Sequence, residues 1–217
     1  MRVHEGWLSF ESLDICLCGS SLRSGSLREA LGLPRYITAG QVHGTTVCRV
    51  RADEARDHIP NCDALITDQL GIGLVIQHAD CQAALFYDPK RRAIGAAHSG
   101  WRGSVGEIYA SVIAEMVAAF GTDPSDLIVA ISPSIGPEGA EYRDYKTMFP
   151  PGWDAFRRGA CNFDFWELSH EQLCSLGVPA DQIEIARLCT WSDPDRFFSY
   201  RRDKTSERHE TIIGMNT

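Results

Sequence analysis

Between Asp63 and Ala97 the chain sets four short apolar runs one after another: Ala64-Leu65-Ile66-Thr67, Gly73 to Gln77, Ala83 to Tyr87, and Ala93 to Ala97. Runs of this length bounded by turn residues read as strands. Asp88-Pro89-Lys90-Arg91 makes a hairpin turn between the last two, because Pro presets one turn dihedral and the charges face water. Helical signals follow. Ser104 can cap a helix whose apolar positions are Ile108, Val112, Ile113, Met116, Val117 and Phe120, with Gly121 as its stop. Leu127 to Ile131 reads as another strand, and a second helix begins near Asp164, with Glu167 completing a capping box. Gly177 ends that helix ahead of Pro179, and Ile183 to Ala186 and Phe197 to Tyr200 are strand candidates. Consecutive strands and then interspersed helices predict a mixed α+β fold, not a regular doubly wound sheet. No repeat or linker divides the 217 residues, so one domain over 1–217 is expected.

The formal net charge of −8 argues against nucleic acid or an anionic membrane as a partner, since both select basic surfaces. A small phosphate is still permitted, because a local pocket can be positive on an acidic protein. The N-terminus lacks the basic-then-apolar pattern of a signal peptide, and no apolar run is long enough to span a bilayer. Cysteines at 16, 18, 48, 62, 81, 161, 174 and 189 have no framework spacing, which predicts free thiols and a cytoplasmic location.

Three separate segments carry metal-capable side chains: Gln41-Val42-His43-Gly44, Ala79-Asp80-Cys81, and Ala97-His98-Ser99-Gly100-Trp101-Arg102-Gly103. Two imidazoles and a thiolate are three ligands, and a catalytic zinc keeps three protein ligands with the fourth position open. A structural zinc is more often closed by paired Cys and His, and no C-x-x-C occurs in this chain. Taken singly, a Cys or a His is more often a core or loop residue than a ligand. Context favours ligation here, because Cys81 lies between two strand-like runs and His98 ends a third, and functional groups gather at such junctions.

These motifs, with Asp63-Ala64-Leu65-Ile66-Thr67 and Phe197-Phe198-Ser199-Tyr200-Arg201-Arg202-Asp203, resemble the YfiH/YlmD family of laccase-domain, polyphenol-oxidase-like proteins, also called peptidoglycan editing factor. The resemblance runs from about residue 28 to the C-terminus. It implies a four-layer α/β/β/α sandwich with mixed sheets, and His43, Cys81 and His98 as ligands of zinc, with copper the alternative. The implied activity is phosphorolysis of adenosine, inosine and methylthioadenosine, with adenosine deaminase activity, so a purine nucleoside and phosphate are the expected partners. The oligomeric state stays open. Members usually carry a Thr-Arg-x-Gly-Gly segment where this chain has Cys18 to Gly25, and a Tyr-Glu-Val where it has Glu138-Gly139-Ala140-Glu141-Tyr142-Arg143. Near the C-terminus Thr205-Ser206-Glu207-Arg208 replaces a usual Thr-Gly-Arg. Arg23 or Arg28 would have to supply the cation that the N-terminal change removes.

Asp63 and Asp80 are the acid/base candidates, against ordinary roles as a turn residue and as a carboxylate orienting a ligand. His78, two residues before Asp80, can transfer protons but is more often a core histidine. Gln41, Arg102 and Arg202 are the substrate-binding candidates. The turn from His98 to Ser104 joins a strand to a helix, where backbone N–H groups and Arg102 can hold an oxyanion. Of Arg201 and Arg202, only one would face a pocket if the run is extended. Competing functions are a cysteine hydrolase acting on peptidoglycan precursors, with Cys81 as nucleophile, and a zinc-stabilised binding module. A four-copper laccase needs roughly ten imidazoles, and the chain has seven histidines. The His-x-Glu and Pro-Cys-x-x-Cys signature of nucleobase deaminases is also absent.

Overall fold

In the computed structural model, which describes residues 1–13 and 16–216, the four apolar runs are the inner strands of two stacked sheets. Strands Gln82–Asp88 and Ala93–Ser99 form the expected hairpin, and Asp88 Oδ1 accepts the turn N–H groups of Lys90 and Arg91, each at 2.9 Å. Ala93–Ser99 also pairs antiparallel with Ala64–Thr67, which takes Val47–Arg49 in parallel on its far side. On the other flank Gln82–Asp88 pairs with Ile128–Ile131, and that strand pairs in parallel with Ile183–Ile185. Ile72–His78 belongs to the second sheet, between His209–Gly214 (antiparallel) and Arg35–Ala39 (parallel). Leu17–Ser21, Trp7–Ser9 and Arg2–His4 extend that sheet on one side and His58–Ile59 on the other.

The runs are continuously apolar because both faces of each strand are covered. Ala83, Leu85, Ile94 and Ala96 point between the sheets, where they meet Ile37, Leu74, Ile76 and Ile213 of the facing sheet. The alternate residues Ala84, Phe86, Ala93 and Ala97 point outward beneath helix Ile108–Phe120 and Leu173 of helix Phe165–Ser175. On the opposite outer face, Leu27 and Leu31 of the short helix Leu27–Leu31 rest on Val75 and Ile212. The layers are therefore α/β/β/α with mixed sheets, as the family resemblance implies.

Three local expectations are corrected. The helix expected from Ser104 is two helices, Trp101–Val105 and Ile108–Phe120. Glu107, at φ 61°, breaks them in the left-handed region. Ser104 lies inside the first, where its N–H closes onto Gly100 O at 3.0 Å. Phe197 to Tyr200 is not a strand: Ser199 Oγ accepts from Arg202 N at 3.2 Å and caps a short helix, Tyr200–Asp203. The capping box at Asp164 is half made, because Asp164 accepts from Glu167 N at 3.1 Å while the Glu167 carboxylate pairs with Arg187. Among the described residues no two cysteines are joined in a disulfide.

Candidate metal centre

The fold brings the three motif segments together at one end of the strands. Cys81 sits in the short crossing between Ile72–His78 and Gln82–Asp88, His98 lies near the end of Ala93–Ser99, and His43 rides the loop after Arg35–Ala39. One ligand-capable atom from each of His43, Cys81 and His98 lies within 4.8 Å of the other two. Gly100 passes so close that a Cβ there would lie 3.0 Å from both Cys81 Sγ and His43 Cδ2.

The loop reaches this position through unusual backbone. Gln41 and His43 have φ of 51° and 61°, a region that non-glycine residues seldom occupy. Asp63 holds it there. Its carboxylate is 0% exposed and accepts the N–H of Val42 (3.1 Å), His43 (2.8 Å) and Gly44 (2.7 Å), and Nδ1–H of His98 (2.9 Å). Gln41 clamps the base of the loop: its amide donates to Gln77 O at 2.5 Å and accepts from Gln77 N at 2.9 Å. The Gln41 side chain is therefore spent on a strand backbone and does not enter the cavity.

Electrostatics couple these groups. Burial pushes the Asp63 carboxyl upward, but the bonds from His98 and from the Gly44 and His43 backbone hold it below its ordinary value. Burial opposes charge on His98, yet Asp63 and Cys81 raise it to about 9. Burial would raise the Cys81 thiol, and hydrogen bonds from His43 and His98 bring it down to about 6. This donor set fits a divalent cation. Asp63 occupies Nδ1 of His98 and leaves Nε2 as the ligating nitrogen, a carboxylate–histidine arrangement common around metals. Cys81 is already near its thiolate form, and a cation displaces the remaining shared protons.

A cavity of about 530 Å³ opens above His43 and Cys81, with His98 buried behind them. Trp101, Tyr142, Phe165 and Ile135 supply apolar wall, and Arg102, Arg201 and Lys204 bring positive charge. Arg102 is exposed, stacks 4.2 Å over the Trp101 ring and forms no ion pair with a described residue. Asp80 lines the cavity in a left-handed conformation (φ 88°), with Oδ1 accepting from Thr190 Oγ1 at 2.7 Å and Oδ2 from Arg201 N at 2.6 Å.

Arg202 does not reach this cavity, contrary to expectation. Its guanidinium donates to the carbonyls of Thr190, Trp191 and Phe197 and pairs with Asp203. Arg201 is the member of the pair that faces inward. His78 is buried behind the site, with Nε2 bonded to Thr211 Oγ1 at 2.7 Å. Arg23 and Arg28 do not supply a cation here either: Arg23 donates to Pro194 O and Arg28 pairs with Glu210. The cavity residues that sequence reasoning passed over are Tyr142, Phe165 and Lys204. They come from a loop, a helix start and a helix end; the aromatic richness of residues 142–165 hinted at the first two, and nothing marked Lys204.

The family model described as multi-copper polyphenol oxidoreductase laccase matches residues 23–216. A Bacteroides thetaiotaomicron protein named purine nucleoside phosphorylase is 36% identical over 168 residues, which is 73% of this chain and 62% of that one. This chain thus spans less than two thirds of that relative's length. The purine nucleoside phosphorylase YlmD of Geobacillus stearothermophilus is 33% identical over 202 residues, 85% of this chain and 74% of the relative. The crystal structure of YlmD from Geobacillus stearothermophilus superimposes with a TM-score of 0.89 at 27% identity, covering 100% of this chain and 98% of that one.

Proposed function

This chain belongs to the YfiH/YlmD family of laccase-like proteins, and on that premise we propose that it is a metal-dependent purine nucleoside phosphorylase acting on adenosine, inosine or methylthioadenosine, with accompanying adenosine deaminase activity. The observation that carries the reading is the His43–Cys81–His98 cluster, two members of which, His43 and Cys81, line a cavity with an aromatic wall and three cationic side chains. Such a cavity suits a flat purine and an anion at once.

In this reading His43, Cys81 and His98 hold zinc, or alternatively copper. When bound, the metal supplies a Lewis acid at the cavity floor. Asp63 positions His43 and His98 and does not exchange protons with substrate, since its lone pairs are engaged and water does not reach it. Asp80 steadies the Arg201 backbone and thereby the positive wall. Arg102, with Arg201 and Lys204, binds phosphate, whose oxygen forms a bond to ribose C1′. The C1′–N9 bond breaks, its electron pair leaves on the purine, and the phosphate proton ends on the released base. The laccase description is not carried over, because a four-copper centre needs roughly ten imidazoles and this cluster offers two.

Among the described residues no helix is long and apolar enough to cross a membrane. A cytoplasmic location, and a single unit over residues 1–217 that binds no nucleic acid, complete the proposal. The test is to incubate metal-replete protein with adenosine and with inosine, with and without phosphate, and to identify products by mass. Phosphate-dependent ribose 1-phosphate and free base are expected, together with inosine from adenosine. No product from either nucleoside refutes the reading.

The depressed Cys81 thiol between two imidazoles also favours a second reading, a cysteine hydrolase that edits peptidoglycan precursors. Iodoacetamide separates the two. A nucleophilic Cys81 is alkylated in protein as isolated, whereas a metal-bound thiolate is protected until a chelator is added.

A further inference from the structure

We propose that Tyr142 is a specificity-determining residue of this site, its phenolic hydroxyl reading the 6-substituent of the bound purine. The inference rests on the purine nucleoside reading and deepens it.

It starts from which polar groups in the cavity are free to meet a ligand. Gln82 is committed: its amide donates to Phe165 O, and its oxygen accepts from the hydroxyls of Tyr109 and Ser169. Ser99 is bonded to Ser104, and each Asp80 oxygen already has a donor. Tyr200 lies at the mouth, 52% exposed, where water serves its hydroxyl. Tyr142 lines the same cavity, and its hydroxyl makes no hydrogen bond to a described residue. Below the rim, it is the uncharged oxygen left for a ligand to satisfy.

Its ring is held rigidly. Ring centroids of Phe149, Phe165, Phe163 and Trp101 stand 5.1, 5.5, 6.4 and 6.5 Å away. The Arg201 guanidinium covers the ring at 5.3 Å and is itself fixed by a 2.7 Å bond to Glu141 O. Burial drives the phenol above its ordinary value, so it stays neutral and can donate or accept. A fixed hydroxyl of this kind suits either a 6-oxo or a 6-amino purine, whose edges carry an acceptor or a donor at that position. It disfavours a purine bearing only hydrogen there, because the hydroxyl would then be desolvated without a partner. The surrounding aromatic side chains cover a base face, while Arg102 and Lys204 serve the anion.

The experiment compares inosine with purine riboside, which lacks the 6-substituent, in wild-type and Tyr142→Phe protein, both metal-replete. The wild type should prefer inosine in kcat/KM by roughly tenfold. Tyr142→Phe should abolish most of that preference, lowering inosine turnover while leaving purine riboside within about twofold. Phenylalanine keeps the ring in its cluster, so melting temperature and metal content should not move; a merely structural role for Tyr142 would depress both substrates alike. Turnover with a preference unmoved by Tyr142→Phe overturns this assignment alone. A wild type that turns over neither nucleoside overturns the purine reading and this assignment with it.

Discussion

Replacing Asp63 with Asn tests whether the centre is built from the carboxylate outward. Each Asp63 oxygen accepts two donors: Oδ1 takes His43 N and His98 Nδ1, and Oδ2 takes Val42 N and Gly44 N. Asparagine keeps one acceptor oxygen and turns the other into an NH₂ group. Whichever way the amide is flipped, two donors aimed at this fully buried side chain face another donor. At about 1–3 kcal/mol for each orphaned buried group, the loss is about 2–6 kcal/mol. For a domain of this size that converts to a fall in Tm of roughly 5–20 °C. Metal affinity should fall by about 10–100-fold, as when the carboxylate partner of a ligating histidine is lost. Calorimetry reads the first effect and competition with a chromogenic chelator the second. The sign with pH is also fixed. A carboxyl held below its ordinary value contributes stability that is lost as pH falls through that depressed value, so this part of the defect is constant above about pH 5, while the part owed to His98, which Asp63 helps raise to about 9, is full below about pH 6.5 and fades as pH rises toward 9. An Asp63→Asn protein that melts within about 2 °C of wild type with unchanged metal affinity would refute the reasoning.

Gly100→Ala should leave the fold intact, because its φ of −81° suits alanine, yet weaken metal binding, because the new Cβ meets Cys81 Sγ and His43 Cδ2 at 3.0 Å; titration at unchanged Tm checks this. Arg102→Lys should raise the KM for phosphate more than that for nucleoside, since lysine keeps the charge but loses the planar fork; steady-state kinetics with phosphate varied decide it. His209 is buried and lowered by that burial to about 4, so the unfolded chain binds the extra proton between about pH 4 and 6.5 and stability rises with pH across that window. The full effect is about 3 kcal/mol, and urea midpoints at pH 4.5 and 7 should differ less in His209→Gln than in wild type.

The inner strands were legible because they are covered on both faces and so read as unbroken apolar runs, whereas the four-layer stacking came from the family resemblance. Cys81 and His98 were legible because they sit at the ends of those runs. His43 was named as a candidate ligand from its Gln41-Val42-His43-Gly44 segment, but the conformation that delivers it had no local signature. His43 depends on a left-handed loop held by Asp63, and no spacing reports a conformation enforced by a residue from another strand. Phe197-Phe198 looked like a strand because apolar character outweighed the cap that Ser199 provides for Arg202 N. That misreading also hid which arginine turns inward, because a helical turn and an extended strand aim neighbouring side chains differently. The cavity wall is assembled by tertiary contact between Tyr142, Phe165 and Arg201, so it emerges only once the chain is folded.

The same contacts divide the site into parts that hold and parts that act. A buried carboxylate is unfavourable alone, a left-handed histidine loop is unfavourable alone, and a buried imidazole resists charge. Asp63 cancels all three by accepting the loop amides and His98 together. Having done so, it has no lone pair left and no path to solvent, and that disqualifies it as a proton carrier. Asp80 is disqualified in a milder form, with one donor fixed on each oxygen. On the proposed reading, chemistry falls to the ligand trio and to the groups that line the cavity with valence open: Arg102, Arg201 and Lys204, and the Tyr142 hydroxyl. Substitutions of the holding residues should change metal affinity and stability together, while substitutions of the acting residues should change turnover or substrate preference at constant Tm.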